Sequence, residues 1–118
     1  DVQAKHVQFH IGKSFDTFCP MGPWLVSADE LDSSKAAIKC WVNDELRQQQ
    51  ITGNMIYNIW EQIHHLSQVM TLEPGDLIAT GTCANVGIAL NKFLHEGDVV
   101  RVEIDHLGHI ENRFVNEP

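Results

Sequence analysis

One pattern in the middle of the chain constrains the fold more than any other, namely two strand-like runs that flank a short turn. Ala37 to Val42 alternates in polarity and is followed by Asn43-Asp44. Both turn residues tolerate a positive φ, so a two-residue hairpin turn is expected. Glu45 to Gln50 is then the returning strand. The pattern predicts an antiparallel β-hairpin.

The period changes in the segment that follows the hairpin. From Asn54 to Met70 the apolar residues recur every three or four positions, which is typical of an amphipathic helix with one apolar stripe. Pro74-Gly75-Asp76 then predicts a turn, because these residue types suit turn conformations. One long helix is therefore expected beside the hairpin.

Further short strands are predicted before and after these elements. Trp24 to Val26 and Leu77 to Thr80 are short apolar runs. Val99 to Ile104 alternates in polarity, and Ile110 to Val115 follows a turn at Leu107 to His109. Several short strands with one helix indicate an α/β fold that is mostly β, in one domain or a piece of one.

The composition limits the possible functions. Apolar residues make up 43% of the chain, which supports a folded core. The net charge of −8 argues against nucleic acid as the main partner, because phosphate binding needs clustered lysines and arginines. No apolar run reaches the roughly 18 residues of a membrane span, and no signal peptide is visible. Three sparse cysteines fit a reducing compartment. We expect a cytoplasmic protein, or a mitochondrial one in a eukaryote, without a membrane partner.

The irregular segment from Gly12 to Trp24 contains the first candidate site residue. It places Lys13, Ser14 and further hydroxyl groups among glycines, prolines and aromatic residues. A cation in a partly dry, rigid segment attracts an anion more strongly than it would in water. A lysine there can bind a carboxylate or take part in proton transfer. The alternative is a surface lysine whose stem covers the neighbouring aromatic rings.

The second candidate site is Thr80-Gly81-Thr82, which follows an apolar run. Glycine lets a ligand approach the backbone closely, and a hydroxyl at a strand end can bind a carboxylate oxygen with help from nearby amides. The alternative is a turn whose threonine side chains bond to the local backbone.

The remaining titratable residues give weaker signals. His64 and His65 are adjacent on the predicted helix, so they face different directions and do not share one ion easily. Glu103 and Asp105 alternate in a strand and share a face, which is also ordinary for an exposed sheet face in an acidic chain. We predict no metal ligand from these residues.

Taken together, the motifs resemble the fumarylacetoacetate hydrolase family, in its bacterial-type, acylpyruvase-like branch. The matching pieces are Asp1-Val2-Gln3, the run from Gly12 to Trp24, Val42-Asn43-Asp44-Glu45, the run from Thr52 to Ile56, the run from Leu66 to Asp76, Thr80-Gly81-Thr82, and the run from Gly97 to Val100. They follow the family order over nearly the whole chain. Residues 1–118 are thus identified as part of the family's catalytic domain, namely its C-terminal portion.

The resemblance implies a mixed β-roll and chemistry on 2-oxo and 2,4-dioxo acids. In the family a divalent ion, Mg²⁺ or Mn²⁺, chelates the keto-acid end of the substrate, which is then hydrolysed, decarboxylated or isomerised. The resemblance also implies that Lys13 is the active-site lysine and that Gln3 hydrogen-bonds the substrate. Thr82 would bind the substrate carboxylate, with Gly81 and Ser14 as further substrate-binding residues.

The family's metal-binding carboxylates have no match in this sequence. A Glu-x-Glu pair, an aspartate and the acid–base pair of the hydrolytic members all belong before Asp1, so we expect the metal half of the site upstream of the first residue. Two hypotheses stay open: a metal-dependent hydrolase, lyase or isomerase of oxo-acid catabolism, and a truncated, non-catalytic relative that serves as a folding or oligomerisation domain. An incomplete roll leaves strand edges and apolar surface uncovered, so a homo-oligomer such as a dimer is expected.

Overall fold

A single antiparallel sheet of four strands forms the centre of the described structure. The computed structural model describes residues 10–116 of the chain, except for the side chain of Ile11. The strands are β1 (Ala37–Val42), β2 (Glu45–Ile51), β3 (Val99–Ile104) and β4 (Gly108–Arg113). Their order in the sheet is β2-β1-β3-β4. The prediction of a mostly β fold is confirmed.

The hairpin between β1 and β2 is present as predicted. Val42 pairs with Glu45 across a turn in which Asn43 has a φ of 54°. The Asn43 side chain also bridges to the start of β3. Its Nδ2 donates to Asp98 Oδ1 over 2.9 Å, and its Oδ1 accepts from the Val99 amide over 3.0 Å. The turn residue thus connects the hairpin to the third strand.

A β-bulge interrupts the pairing of β1 with β2. Cys40 pairs with Gln48 and Trp41 pairs with Leu46, so Arg47 is an extra residue on β2. Such a residue bends the strand locally and redirects the side chains near it. The bulge therefore separates the hairpin end of β2 from the half that contains Gln48.

One row of side chains crosses the sheet from edge to edge, and we call it the central row. It consists of Gln48 on β2, Cys40 on β1, Val102 on β3 and Ile110 on β4, each paired with the next. Directly paired residues point to the same face of a sheet. Three strand spacings of about 4.8 Å make the row about 14 Å long. Its three apolar members give this face of the sheet its apolar character.

The helix is shorter than the sequence predicts. Helix α1 covers Ile59–Ser67, nine residues, where the periodicity predicts a helix from Asn54 to Met70. Asn58 and Glu61 form a capping box that fixes its start: Asn58 Oδ1 accepts from the Glu61 amide, and Glu61 Oε2 accepts from the Asn58 amide. This cap satisfies two amides that a helix start leaves unpaired. The prediction of one long amphipathic helix is therefore wrong.

Two of the predicted strands are also wrong. Trp24 to Val26 and Leu77 to Thr80 are irregular, and the Leu25 side chain is 96% exposed. Neither run pairs with a strand of the described sheet. A short apolar run becomes a strand only where a neighbouring strand accepts its backbone hydrogen bonds. The last strand begins at Gly108, two residues earlier than predicted, and ends at Arg113.

Much apolar surface remains exposed over residues 10–116. Ala36 is the one apolar residue there that is fully buried, at 4% exposure. The exposed large apolar side chains include Trp24, Leu25, Ile56, Tyr57, Trp60, Val69 and Leu77.

A second helix, α2 (Gly87–Leu90), has a single turn. Within residues 10–116 no helix has both the length and the apolar character to cross a bilayer.

Candidate functional site

The Thr80-Gly81-Thr82 segment is an irregular, exposed loop in this structure. Gly81 has a φ of 112°, a conformation that residues with a Cβ rarely adopt, and a Cβ there would meet nothing within 4 Å. The space beside the Gly81 backbone is therefore open, and the approach of a ligand there stays a prediction. The Thr82 side chain is exposed beside it.

A glutamine that the sequence analysis did not single out holds this loop. Gln48 Nε2 lies 3.2 Å from Thr82 Oγ1, 2.9 Å from the Cys83 carbonyl oxygen and 3.0 Å from the Ala84 carbonyl oxygen. One side-chain amide thus contacts three consecutive residues. Gln48 is one of three glutamines in a row on β2, and nothing in that run distinguishes it from the other two before the bulge is known.

Lys13 and Ser14 lie at the end of a short 3₁₀ turn, Ile11–Lys13. The Lys13 amide donates to the His10 carbonyl over 3.2 Å, and Ser14 Oγ donates to the same carbonyl over 2.5 Å. Both side chains are exposed, which agrees with the alternative of a surface lysine and not with a lysine in a partly dry segment. The Ser14 hydroxyl proton is used in the hydrogen bond to the His10 carbonyl, so its oxygen remains available only as an acceptor. Gln3, the third predicted residue, lies outside the described residues.

The two motif segments approach the same face of the sheet. Gly22 lies over the β4 end of the central row, where a Cβ on it would be 3.8 Å from Ile110 Cγ2. The loop at Thr82 lies over the β2 end of the row, at Gln48. Among the described residues no hydrogen bond joins Lys13 to Thr82. Their predicted cooperation in one site stays a prediction.

An apolar cavity of about 240 Å³ lies between the first motif segment and the sheet. Its walls come from the Pro20-Met21-Gly22 stretch and from the strands β3 and β4. The lining residues are Pro20, Met21, Gly22, Val102, Ile104, Leu107, Gly108, His109 and Ile110. Of the segment from Gly12 to Trp24, the Pro20-Met21-Gly22 stretch thus faces the sheet across this cavity.

A second, polar cleft of about 420 Å³ lies at the hairpin end of the sheet. Glu45 is its central group, with Lys92 Nζ 2.8 Å from Oε1 and Arg47 Nε 3.0 Å from Oε2. The Lys92 hydrogen bond is the main reason that the pKa of Glu45 is lowered, and Arg47 adds to it. Asp98 also lines the cleft, and its pKa is lowered chiefly by the hydrogen bond from Asn43. The charges of the cleft thus balance one another, and neither Lys13 nor Thr82 lines it.

The described residues do not fit a divalent metal ion. Residues 10–116 contain no group of three histidine, cysteine, aspartate or glutamate side chains placed to hold one. The carboxylates of Glu103 and Asp105 have structural partners instead. Glu103 Oε2 accepts from Arg101 Nη2 over 2.8 Å, and Asp105 Oδ2 accepts from the Ala37 amide over 3.1 Å. A hard cation prefers several oxygen ligands, and this part of the chain does not assemble them.

This arrangement of sheet and motif segments is that of a known family. The chain belongs to the fumarylacetoacetate (FAA) hydrolase C-terminal family, whose sequence model matches residues 1–115. The resemblance drawn from the motifs is confirmed.

Named relatives come from bacteria and animals. The chain is 46% identical over 117 residues to the oxaloacetate tautomerase YisK of Bacillus subtilis (strain 168), covering 97% of this chain and 39% of that protein. It is 46% identical over 111 residues to the mitochondrial oxaloacetate tautomerase FAHD2B of Bos taurus, covering 92% of this chain and 35% of that protein. The chain therefore spans less than half of the length of these relatives.

Solved structures agree with this assignment. A fumarylacetoacetate hydrolase from Exiguobacterium antarcticum is 42% identical, with a TM-score of 0.91, over 99% of this chain and 43% of that one. The maleylpyruvate hydrolase from Sphingobium sp. SYK-6, in complex with manganese(II) and pyruvate, is 41% identical with a TM-score of 0.83, over 92% of this chain and 39% of that one. The fold of the chain is thus that of fumarylacetoacetate hydrolase-type proteins.

Proposed function

We propose that this chain is part of a divalent-metal-dependent enzyme that hydrolyses, decarboxylates or isomerises 2-oxo or 2,4-dioxo acids. Family membership and the names of the relatives, oxaloacetate tautomerases and a maleylpyruvate hydrolase, support this class of substrate. The structural observation that carries the proposal is that both motif segments lie over one face of the sheet. This supports a substrate site on that face, to which the first segment would contribute a cation and the second a hydroxyl.

The residues of this chain supply cationic and neutral donor groups. The Lys13 ammonium would stabilise negative charge on the oxygens of the substrate as an enolate forms, which is the type of electrostatic stabilisation that contributes most to many enzymes. The Thr82 hydroxyl would donate to the substrate carboxylate, and Gly81 would let the substrate approach the backbone. Gln3 would add a further donor, and the Ser14 oxygen, whose proton bonds to the His10 carbonyl, would act as an acceptor. The Mg²⁺ or Mn²⁺ expected for the family would act as a Lewis acid, with ligands from outside residues 10–116.

The test is turnover of oxaloacetate and of acylpyruvates by the gene product that contains these 118 residues, with added Mg²⁺ or Mn²⁺. Loss of the enol absorbance in the ultraviolet follows tautomerisation, and loss of the dioxo chromophore follows cleavage. Lys13→Met should lower kcat about 10²–10³-fold, the usual effect of removing one such electrostatic group. Lys35→Met is the matched control, because Lys35 is an exposed lysine that pairs with Asp32. Full activity in Lys13→Met would contradict the role of Lys13, and no turnover of either substrate class would contradict the proposal itself.

The second candidate function is a non-catalytic folding or oligomerisation domain. The observation that favours it is the lack of a three-ligand metal group within residues 10–116. Calorimetric titration of the 118-residue chain with oxalate, with and without Mg²⁺, separates the two candidates. Tight oxalate binding that depends on Mg²⁺ would exclude the non-catalytic candidate.

We also propose that the protein works as a homo-oligomer. Large apolar side chains such as Leu25, Ile56 and Trp60 are 96%, 92% and 77% exposed in the single chain. Apolar surface on this scale tends to be covered by other parts of a protein or by another chain. Light scattering of the gene product should give a mass above that of one chain, and a stable monomer at high concentration would contradict the proposal.

A further inference from the structure

The hydrogen-bond partners of the Gln48 side chain determine which end of its amide faces the loop. It faces the carbonyl oxygens of Cys83 and Ala84 at 2.9 and 3.0 Å. Carbonyl oxygens can only accept, so the group that meets them must be the NH₂ and not the amide oxygen. An amide turned the other way would place three oxygens against one another.

The same orientation fixes the hydrogen-bonding role of Thr82. Its Oγ1 lies 3.2 Å from the NH₂ group of Gln48, and nitrogen in a neutral amide donates but does not accept. In this contact the hydroxyl oxygen accepts, and its own proton stays free to donate elsewhere. The contact is the longest of the three, because two N–H groups face three acceptors and one N–H is shared with a carbonyl. A carboxylate is an acceptor only, so the Thr82 hydroxyl is set in the one role that suits a carboxylate ligand.

Gln48 lies on the more rigid side of this contact. It sits on β2 beside the bulge at Arg47 and pairs directly with Cys40 in the middle of the sheet. The loop at Thr82 has no helix or strand hydrogen bonds of its own. The Gln48 side chain therefore holds the loop at a fixed position relative to the sheet. It does so because its NH₂ group contacts acceptors on three consecutive loop residues.

We propose that Gln48 is a positioning residue, which holds the Thr82 hydroxyl as a donor toward the substrate carboxylate. This inference rests on the proposed function, in which Thr82 binds that carboxylate. In this role Gln48 would act on the substrate through Thr82 and not by direct contact. An alternative is that Gln48 only keeps the loop folded through the two carbonyls, and an experiment has to separate these roles.

A double-mutant cycle on the gene product separates them. The variants are Gln48→Ala, Thr82→Val and the two combined, with KM and kcat measured for oxaloacetate. Gln48→Ala should raise KM about tenfold with little change in kcat, since losing the benefit of about one hydrogen bond corresponds to such a factor. The double variant should be no worse than Thr82→Val, because a hydroxyl that is absent cannot be positioned.

Gln49→Ala is the matched control. Gln49 is the next residue on the same strand, pairs with Lys39, and forms no side-chain hydrogen bond with the described residues. Its KM and kcat should equal those of the unmodified protein. An equal rise of KM in Gln49→Ala would show that any glutamine lost from β2 has this effect, and would overturn the proposal.

Gln48→Glu tests the donor itself, which the contacts to Thr82 and to the two carbonyls all require. It keeps the length of the side chain but replaces the donor by a carboxylate, so KM at neutral pH should exceed that of Gln48→Ala. As the pH falls toward the ordinary glutamate pKa of about 4.3, the protonated acid regains one O–H donor. The KM ratio of Gln48→Glu to Gln48→Ala should therefore fall with pH.

The possible failures are distinguishable. Absence of turnover in the unmodified protein would refute the proposed function and, with it, the role of Gln48. Turnover with additive effects of Gln48→Ala and Thr82→Val would leave the proposed function intact and would refute the positioning role. A KM ratio for Gln48→Glu that does not change with pH would refute the donor argument.

Discussion

The turn residue Asn43 offers a quantitative test of how the hairpin is stabilised. Its φ of 54° lies in the left-handed region, which costs an ordinary L-residue about 1 kcal/mol or more. Its Oδ1 accepts the Val99 amide over 3.0 Å, and a hydrogen bond of this kind contributes about 1 kcal/mol net. Asn43→Ala should lower the free energy of unfolding by at least this sum, about 2 kcal/mol, because the hydrogen bond to Asp98 is lost as well.

Asn43→Gly separates the two contributions. Glycine adopts a positive φ without the steric cost but lacks both side-chain hydrogen bonds, so this variant should lose about 1 kcal/mol less than Asn43→Ala. Urea denaturation, followed by circular dichroism and compared at a constant m-value, measures both changes. In both variants the pKa of Asp98 should rise toward its ordinary value, because the hydrogen bond from Asn43 is the main cause of its lowering. Equal losses in the two variants would refute the conformational part of the argument.

Three further predictions follow from local contacts. Gly53→Ala should destabilise the protein by about 1–3 kcal/mol, measured by urea denaturation, because a Cβ there would lie 2.3 Å from the Ser34 carbonyl oxygen; unchanged stability would contradict this contact. Burial raises the pKa of Cys40, and a nearby cysteine adds to the shift, so iodoacetamide at pH 8 should label the exposed Cys19 first, as mass spectrometry of timed samples can show; equal labelling rates would refute it. The pKa of Asp32 is lowered from 3.8 to about 2, mainly by hydrogen bonding to the lysine three residues later. Its stabilising effect should be complete above pH 3.8 and lost as the pH falls toward 2, and a carboxyl NMR titration midpoint near 3.8 would contradict this.

Local turn chemistry made part of the fold predictable. Asn43-Asp44 between two strand-like runs suffices to predict the hairpin, and β3 follows from its own alternation over Val99–Ile104. The start of the helix was not predictable from periodicity alone. Ile56 continues the apolar pattern but precedes the cap at Asn58, and the cap, not the stripe, determines where the helix begins.

The errors concern runs whose structure depends on distant partners. Trp24 to Val26 and Leu77 to Thr80 have strand-like composition, but the described sheet offers them no neighbour. The role of Gln48 depends on a bulge at Arg47 and on a loop 34 residues away in sequence. Such non-local pairings leave no periodic trace in a single sequence. The motif segments themselves were predictable because their residue types are unusual for strands or helices.

Arg47, the extra residue on β2, affects how the protein tolerates mutations at the hairpin. On one side of Arg47 the strand is aligned by the turn, and on the other side Gln48 is aligned by its own pairing with Cys40. A change of backbone conformation at the hairpin tip can therefore be accommodated at the bulge, without moving Gln48, which contacts the Thr82 loop. Mutations near Asn43 should weaken the fold while leaving the loop in place, so that the stability of the hairpin and the position of the Thr82 loop can vary independently.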